Sequence, residues 1–121
     1  MKNFMAIYTG TAVARAKWDT LSATERKKRE AEGMEAWTSW GKENAAAIVD
    51  RGGPLGKTKR VSPKGITDIN NAMAAYVIVQ AESHEAAAKL FENHPHFTIF
   101  PGEAVEIMEC LPLPNAAKNA Q

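Results

Sequence analysis

Four segments of the chain carry the clustered or alternating apolar residues that predict strands of a sheet. Residues 4–9 form a compact apolar run, and residues 73–81 have Tyr76 and Val77 near their centre. A last strand is expected over residues 104–110. Residues 55–61 are more polar, as is typical of a strand at a sheet edge.

Two helices are predicted between these strands. Ser22 and Glu25 form a capping box, in which a hydroxyl and a carboxylate satisfy the first free amides of a helix. Apolar residues continue at helical spacing to Ile48, so a long helix is expected over residues 22–49. The Gly-Gly-Pro segment at residues 52–54 is expected to end it.

The second helix is expected to begin after Ser83, a typical N-cap residue. It should end near Asn93, because Pro95 disfavours a helical conformation in the residue before it. Residues 11–21 predict either a loop or a short helical turn, and residues 62–71 predict a connection.

The resulting order, β-α-β-β-α-β, is the ferredoxin-like arrangement of an α+β protein with a four-stranded antiparallel sheet. A single domain is expected over residues 1–112, followed by a frayed tail over residues 113–121.

The two strands expected at the centre of this sheet are apolar on both faces. In the first strand, Phe4, Ala6 and Tyr8 point one way, whereas Met5 and Ile7 point the other way. Two helices can cover one face, and a contiguous apolar patch is rarely left in water. We therefore expect a homodimer in which a second copy covers the other face.

Composition excludes several classes of protein. The 121 residues carry 15 basic and 14 acidic side chains, a net charge of +1 that gives no reason to expect nucleic acid or an anionic membrane as partner. No apolar stretch approaches the roughly 20 residues that cross a bilayer. The single cysteine, Cys110, is expected to be a buried small hydrophobe and allows no intramolecular disulfide. The sequence therefore predicts a cytoplasmic protein.

The His94-Pro95-His96 segment is the sharpest candidate for chemistry. Two imidazoles beside a stiff proline could act as acid/base groups or bind an anion. Alternatively, a histidine at a helix C-terminus simply interacts with exposed carbonyl groups. A metal site is less favoured, because it would need Glu103 or Asp68 as a third ligand. No cofactor is identified.

Aromatic and basic residues supply further candidates for a ligand site. Trp37, Trp40 and Tyr8 could line a pocket, although packing of the helix on the sheet is the alternative. A basic segment over residues 51–64 includes Arg60, which could bind an anionic ligand or protect a sheet edge. No aromatic residue is interleaved with it, which argues against a nucleic-acid surface.

The layout resembles the YCII-related family of small dimeric α+β-barrel proteins. The similarity lies in Phe-Met-Ala-Ile-Tyr at residues 4–8, Gly-Gly-Pro-Leu at 52–55 and Ala-Tyr-Val-Ile-Val at 75–79. It extends through Glu-Ser-His-Glu-Ala-Ala at 82–87 and His94-Pro95. The resemblance implies a dimer, a cavity between sheet and helix, and an enzymatic role with an unknown substrate.

Two family features are missing from this sequence. Some members pair a histidine on the first helix with an aspartate, but residues 22–49 contain no histidine. Another branch has Asp-Gly-Pro-Phe before the third strand, where this chain retains at most Asp68. The catalytic part of the resemblance is therefore weaker than the part that concerns the fold.

Together these patterns predict a protein that binds a small anionic or aromatic molecule in a cavity of the dimer. His94 is the acid/base candidate, and the expected pocket residues are Tyr8, Trp37, Trp40, Arg60, Asp68 and His96. A non-catalytic accessory dimer is the alternative. A weak enzyme of acid/base or oxygenase type, by analogy with other α+β barrels, is a further alternative.

Overall fold

A computed structural model describes residues 1–114. Of the tail expected over residues 113–121, residues 115–121 lie outside the described residues. The strands are β1 (Lys2–Gly10), β2 (Ile48–Pro54), β3 (Thr58–Ser62), β4 (Gly65–Ile69), β5 (Met73–Ala81) and β6 (Gly102–Glu109). The helices are α1 (Ala12–Asp19), α2 (Ala23–Glu43), α3 (His84–Lys89) and α4 (Pro95–Thr98).

The main sheet has four antiparallel strands in the order β2-β5-β1-β6. The predicted α+β class and the central position of β1 and β5 are confirmed. Phe4 pairs with Val79 and Ala6 with Val77, so these four side chains share one face of the sheet. They are buried in the core with Phe91 of the segment after α3, which places the core on this face.

The predicted helix starts are confirmed. The hydroxyl of Ser22 accepts a hydrogen bond from the Glu25 amide at 3.1 Å, and that of Ser83 accepts from the Ala86 amide at 3.1 Å. Residues 11–21, for which a loop or a short helical turn is expected, contain the eight-residue helix α1, N-capped by Thr11. These side-chain hydrogen bonds satisfy backbone amides in the first turn of each helix, which have no partner inside the helix.

The expected end of the long helix is wrong. Helix α2 ends at Glu43, and the segment expected to break the helix is strand β2, at the edge of the main sheet. Gly52 has a φ of 59° at an irregularity in the pairing of β2 with β5. Its amide donates to the Asp50 side chain at 2.9 Å. Glycine and proline therefore serve here as residues of an irregular edge strand.

The strand expected over residues 55–61 and the connection expected over residues 62–71 are also wrong as placed. Strands β3 and β4 instead pair with each other in a separate two-stranded sheet. Lys59 forms an ion pair with Asp68 across it at 2.6 Å. Val61 and Ile66, which face each other in the hairpin, are 75% and 68% exposed.

Three smaller differences concern the last third of the chain. Helix α3 ends at Lys89 rather than near Asn93, and the short helix α4 was not predicted. Cys110 is exposed rather than buried, because it follows the last residue of β6.

Within residues 1–114, no helix is both long enough and apolar enough to cross a membrane.

Candidate functional site

A cavity of about 560 Å³ lies between helix α2 and the main sheet. This volume is within the range of pockets that hold small molecules. Its wall includes residues from three parts of the chain: Met34, Trp37 and Trp40 of α2, Tyr8, Ala75 and Val77 of the sheet, and His96 and Phe100.

Two contacts fix the aromatic residues of this wall. The indole N–H of Trp40 donates to the carbonyl oxygen of Leu90 at 2.7 Å, which ties α2 to the end of α3. The Phe100 ring lies directly against Gly33 of α2, where a Cβ atom would collide with it. The helix is thereby held by its contacts with residues 90 and 100, which leaves space between it and the sheet.

His94 lies behind the wall with no solvent exposure, as the N-cap residue of α4. Its Nδ1 accepts a hydrogen bond from the His96 amide at 3.0 Å. A nitrogen that accepts carries no proton, so neutral His94 is protonated on Nε2. That nitrogen lies 3.3 Å from the Tyr8 oxygen and donates to it. The Tyr8 hydroxyl therefore keeps its own proton for another acceptor.

His96 is protonated on the same nitrogen as His94 but has a different partner. Its Nε2 lies 2.7 Å from the Thr9 carbonyl oxygen, which can only accept, so Nε2 carries the proton. Gly102 lies against the same edge of the ring, where a Cβ atom would collide with Nε2 and Cε1. Among the described residues Nδ1 of His96 has no hydrogen-bond partner, and it is not fully enclosed. It is an unprotonated acceptor on a residue of the cavity wall.

Burial keeps all three groups neutral near neutral pH. Burial, together with a smaller effect of the neighbouring His96, lowers the pKa of His94 to about 4. Burial also lowers the pKa of His96, partly opposed by its bond to Thr9. Burial raises the pKa of the Tyr8 hydroxyl well above its usual value. The buried end of the cavity thus offers neutral donors and acceptors.

Aromatic rings surround His94 and form one side of the cavity. The ring of Trp37 meets that of His94 edge-on at 4.6 Å, and Trp40 meets it at 4.7 Å. Tyr8 lies 5.0 Å from Trp37 and 5.1 Å from His96, measured between ring centres. Such spacings are those of favourable aromatic pairs. The cluster holds Tyr8 and His96 in fixed positions on the wall.

Positive charge lies at the exposed side of the cavity. Lys42 and Arg51 are exposed and line it, whereas none of its described lining residues is Asp or Glu. Among residues 1–114 neither cation forms an ion pair. The cavity therefore combines an apolar aromatic wall with a cationic opening.

The structure brings together four of the predicted site residues, since Tyr8, Trp37, Trp40 and His96 all line the cavity. His94 lies behind them, and its catalytic role stays a prediction. Arg60 and Asp68 lie on the β3–β4 hairpin, away from the described cavity wall.

The sequence did not indicate that Lys42, Arg51 and Phe100 line the cavity. Arg51 begins the basic segment over residues 51–64, but Arg60 is the residue of that segment that was expected in the pocket. Glu103, one of the two residues that a metal site would need as a third ligand, accepts a hydrogen bond from the Thr9 hydroxyl at 3.3 Å. Among the described residues no three His, Cys, Asp or Glu side chains are grouped as a metal site would require.

Comparisons with known proteins show a likeness in fold. No family model and no curated protein sequence matches the chain. The structure is similar to 5-chloro-2-hydroxyhydroquinone dehydrochlorinase (TftG) from Burkholderia phenoliruptrix AC1100, in complex with 2,5-dihydroxybenzoquinone. The TM-score is 0.51 at 17% identity, over 92% of this chain and 94% of that chain. The likeness supports a YCII-like α+β fold.

Proposed function

We propose that this protein binds a small aromatic anion in the cavity between α2 and the sheet. The observation that carries the proposal is the joining of an aromatic wall to two exposed cations, Lys42 and Arg51, in one cavity. A planar ring would stack on Trp37, and its acidic substituent would lie at the cationic opening. Arg51 takes the place that the sequence had suggested for Arg60.

The similar structure supports binding of a single-ring compound. TftG is described in complex with 2,5-dihydroxybenzoquinone, a molecule of that size. The cavity of about 560 Å³ has room for such a ring with its substituents.

We further propose that the chain is a YCII-related protein with a ferredoxin-like fold and works as a homodimer in the cytoplasm. The strand order β2-β5-β1-β6 agrees with that fold. On the face away from Phe4, Met5 pairs with Ile78 on one side and Met108 on the other. Met108 of this row is 46% exposed, and a second sheet packed on the row would remove it from water.

Calorimetric titration with benzoate tests the ligand proposal. Benzoate should bind more tightly than cyclohexanecarboxylate, which has the same charge but no aromatic ring to stack. Arg51→Gln should weaken benzoate binding by about tenfold, the usual worth of a charge-assisted hydrogen bond. Arg60→Gln is the matched control and should leave the affinity unchanged.

Two results would count against the proposal. One is absence of benzoate binding to the wild-type protein. The other is equal weakening by Arg51→Gln and Arg60→Gln, which would indicate attraction by the net charge of the surface rather than a site.

A further inference from the structure

The buried end of the cavity holds two polar groups whose hydrogen-bonding directions are already fixed. Tyr8 is 2% exposed and His96 is 7% exposed, and their ring centres are 5.1 Å apart. Because His94 donates to the Tyr8 oxygen, the Tyr8 hydroxyl remains a donor. Because His96 donates to Thr9, its Nδ1 remains an acceptor.

A donor beside an acceptor is complementary to a hydroxyl group. A hydroxyl donates one hydrogen bond and accepts others, whereas an ether or a carbonyl oxygen only accepts. Tyr8 and Trp37 lie on the same cavity wall with their ring centres 5.0 Å apart, so a ring bound beside Trp37 is also close to Tyr8.

We propose that the ligand is a phenol, and that the Tyr8 hydroxyl and Nδ1 of His96 together recognise its hydroxyl group. The ligand O–H donates to Nδ1, and its oxygen accepts from Tyr8. This inference rests on the proposed binding of an aromatic anion and adds the group at the buried end. The complete ligand class is a phenol with an acidic substituent at the far side of the ring, a hydroxybenzoate being the simplest example.

The contacts behind the pair explain its fixed polarity. Gly102 lets the chain pass against the His96 ring, so the imidazole is fixed by a backbone contact as well as by Thr9. His94 has no solvent exposure and makes no contact with the cavity among the described residues, so it acts as a positioning residue. Its two hydrogen bonds hold the backbone of residue 96 and the oxygen of Tyr8.

The test compares three ligands by calorimetry: benzoate, para-hydroxybenzoate and para-methoxybenzoate. The wild-type protein should prefer para-hydroxybenzoate to benzoate by about fivefold to tenfold, as expected for one or two buried hydrogen bonds. Para-methoxybenzoate should lose this preference, since its oxygen has no proton to donate to Nδ1.

His96→Gln is the decisive variant. The glutamine side-chain amide can still donate to the Thr9 carbonyl, but its acceptor, Oε1, is one bond farther from Cβ than Nδ1 of histidine and is therefore displaced from that position. The readout is the ratio of its two affinities: His96→Gln should bind para-hydroxybenzoate no more tightly than benzoate. Tyr8→Phe removes the donor and should also reduce this preference, so it tests the pair even if His96→Gln does not fold.

The outcomes separate this inference from the proposed function. If benzoate and para-hydroxybenzoate bind equally to the wild type, the phenol inference is wrong and aromatic-anion binding stands. If the preference persists in both variants, another group recognises the hydroxyl and the inference is wrong. If the wild type binds none of the three ligands, the proposed function fails and the inference fails with it.

Discussion

The backbone amide of His96 donates to the imidazole Nδ1 of His94 at 3.0 Å, so this nitrogen of His94 has a partner within the chain. His94 carries its proton on Nε2 and directs it to Tyr8, 86 residues away in sequence. His96 carries its proton on Nε2 as well, but directs it to the Thr9 backbone and leaves Nδ1 at the cavity wall. His94 therefore positions Tyr8, whereas His96 has an acceptor without a partner among the described residues.

The protonated nitrogen is the same in both rings, and the surroundings of Nδ1 differ between them. In His94 this atom caps helix α4, whereas in His96 it has no partner among the described residues. The backbone thus occupies one acceptor and leaves the other for a ligand.

The first prediction concerns pH. The pKa of His94 is about 4 in the folded protein and 6.5 in its ordinary state. The unfolded chain binds a proton in this interval that the native state does not, so stability falls as pH is lowered through it. The stabilisation is complete above about pH 6.5, and its loss approaches about 3 kcal/mol near pH 4. Urea unfolding at several pH values measures this.

His94→Gln isolates the contribution of that residue. The variant should be less stable at neutral pH, since it loses the cap of α4, yet its stability should depend less on pH between about 6.5 and 4. Identical pH dependence in the wild type and the variant would show that His94 is not buried in its neutral form.

The second prediction uses two glycines of the same helix. A Cβ atom at Gly41 would meet nothing within 4 Å, so Gly41→Ala should stabilise the protein by about 1 kcal/mol. At Gly33 the added Cβ would collide with the Phe100 ring, so Gly33→Ala should lose that gain or be destabilising. Thermal unfolding of both variants measures the difference, and equal stabilisation would contradict the contact between Gly33 and Phe100.

The third prediction concerns the proposed dimer. Ile78→Lys introduces a charge into the apolar row with Met5 and should convert a dimer into a monomer of 13.2 kDa. Val13→Lys, on an exposed apolar residue of α1, is the control and should leave the dimer intact. Light scattering coupled to size-exclusion chromatography gives both masses. A wild-type protein that is already a monomer would rule out the dimer.

Much of the fold could be predicted because the signals are local. The hydroxyl of Ser22 needs an amide three residues ahead, and the apolar run of β5 needs no partner to be recognised as a strand. The predicted end of the long helix was wrong because a glycine such as Gly52 is typical of two different structures. A positive φ suits the residue after a helix and also suits a bulged edge strand, and pairing with β5 selects the second.

The site could be predicted only in part. Its aromatic and histidine residues are visible in the sequence, and four of the predicted residues line the cavity. Their roles depend on contacts between distant residues, such as Nε2 of His96 with the Thr9 carbonyl and the Gly102 backbone with the His96 ring. No local pattern specifies whether His94 or His96 faces the cavity.

The central claim is that the cavity binds an aromatic anion. Its most direct test is an NMR experiment in which benzoate is added to protein labelled with nitrogen-15. The chain has three tryptophans, of which Trp37 and Trp40 line the cavity and Trp18 does not. Saturating shifts of the Trp37 indole N–H signal, with that of Trp18 unchanged, are the result that we predict. A Trp37 signal that does not move as benzoate is added would contradict the claim.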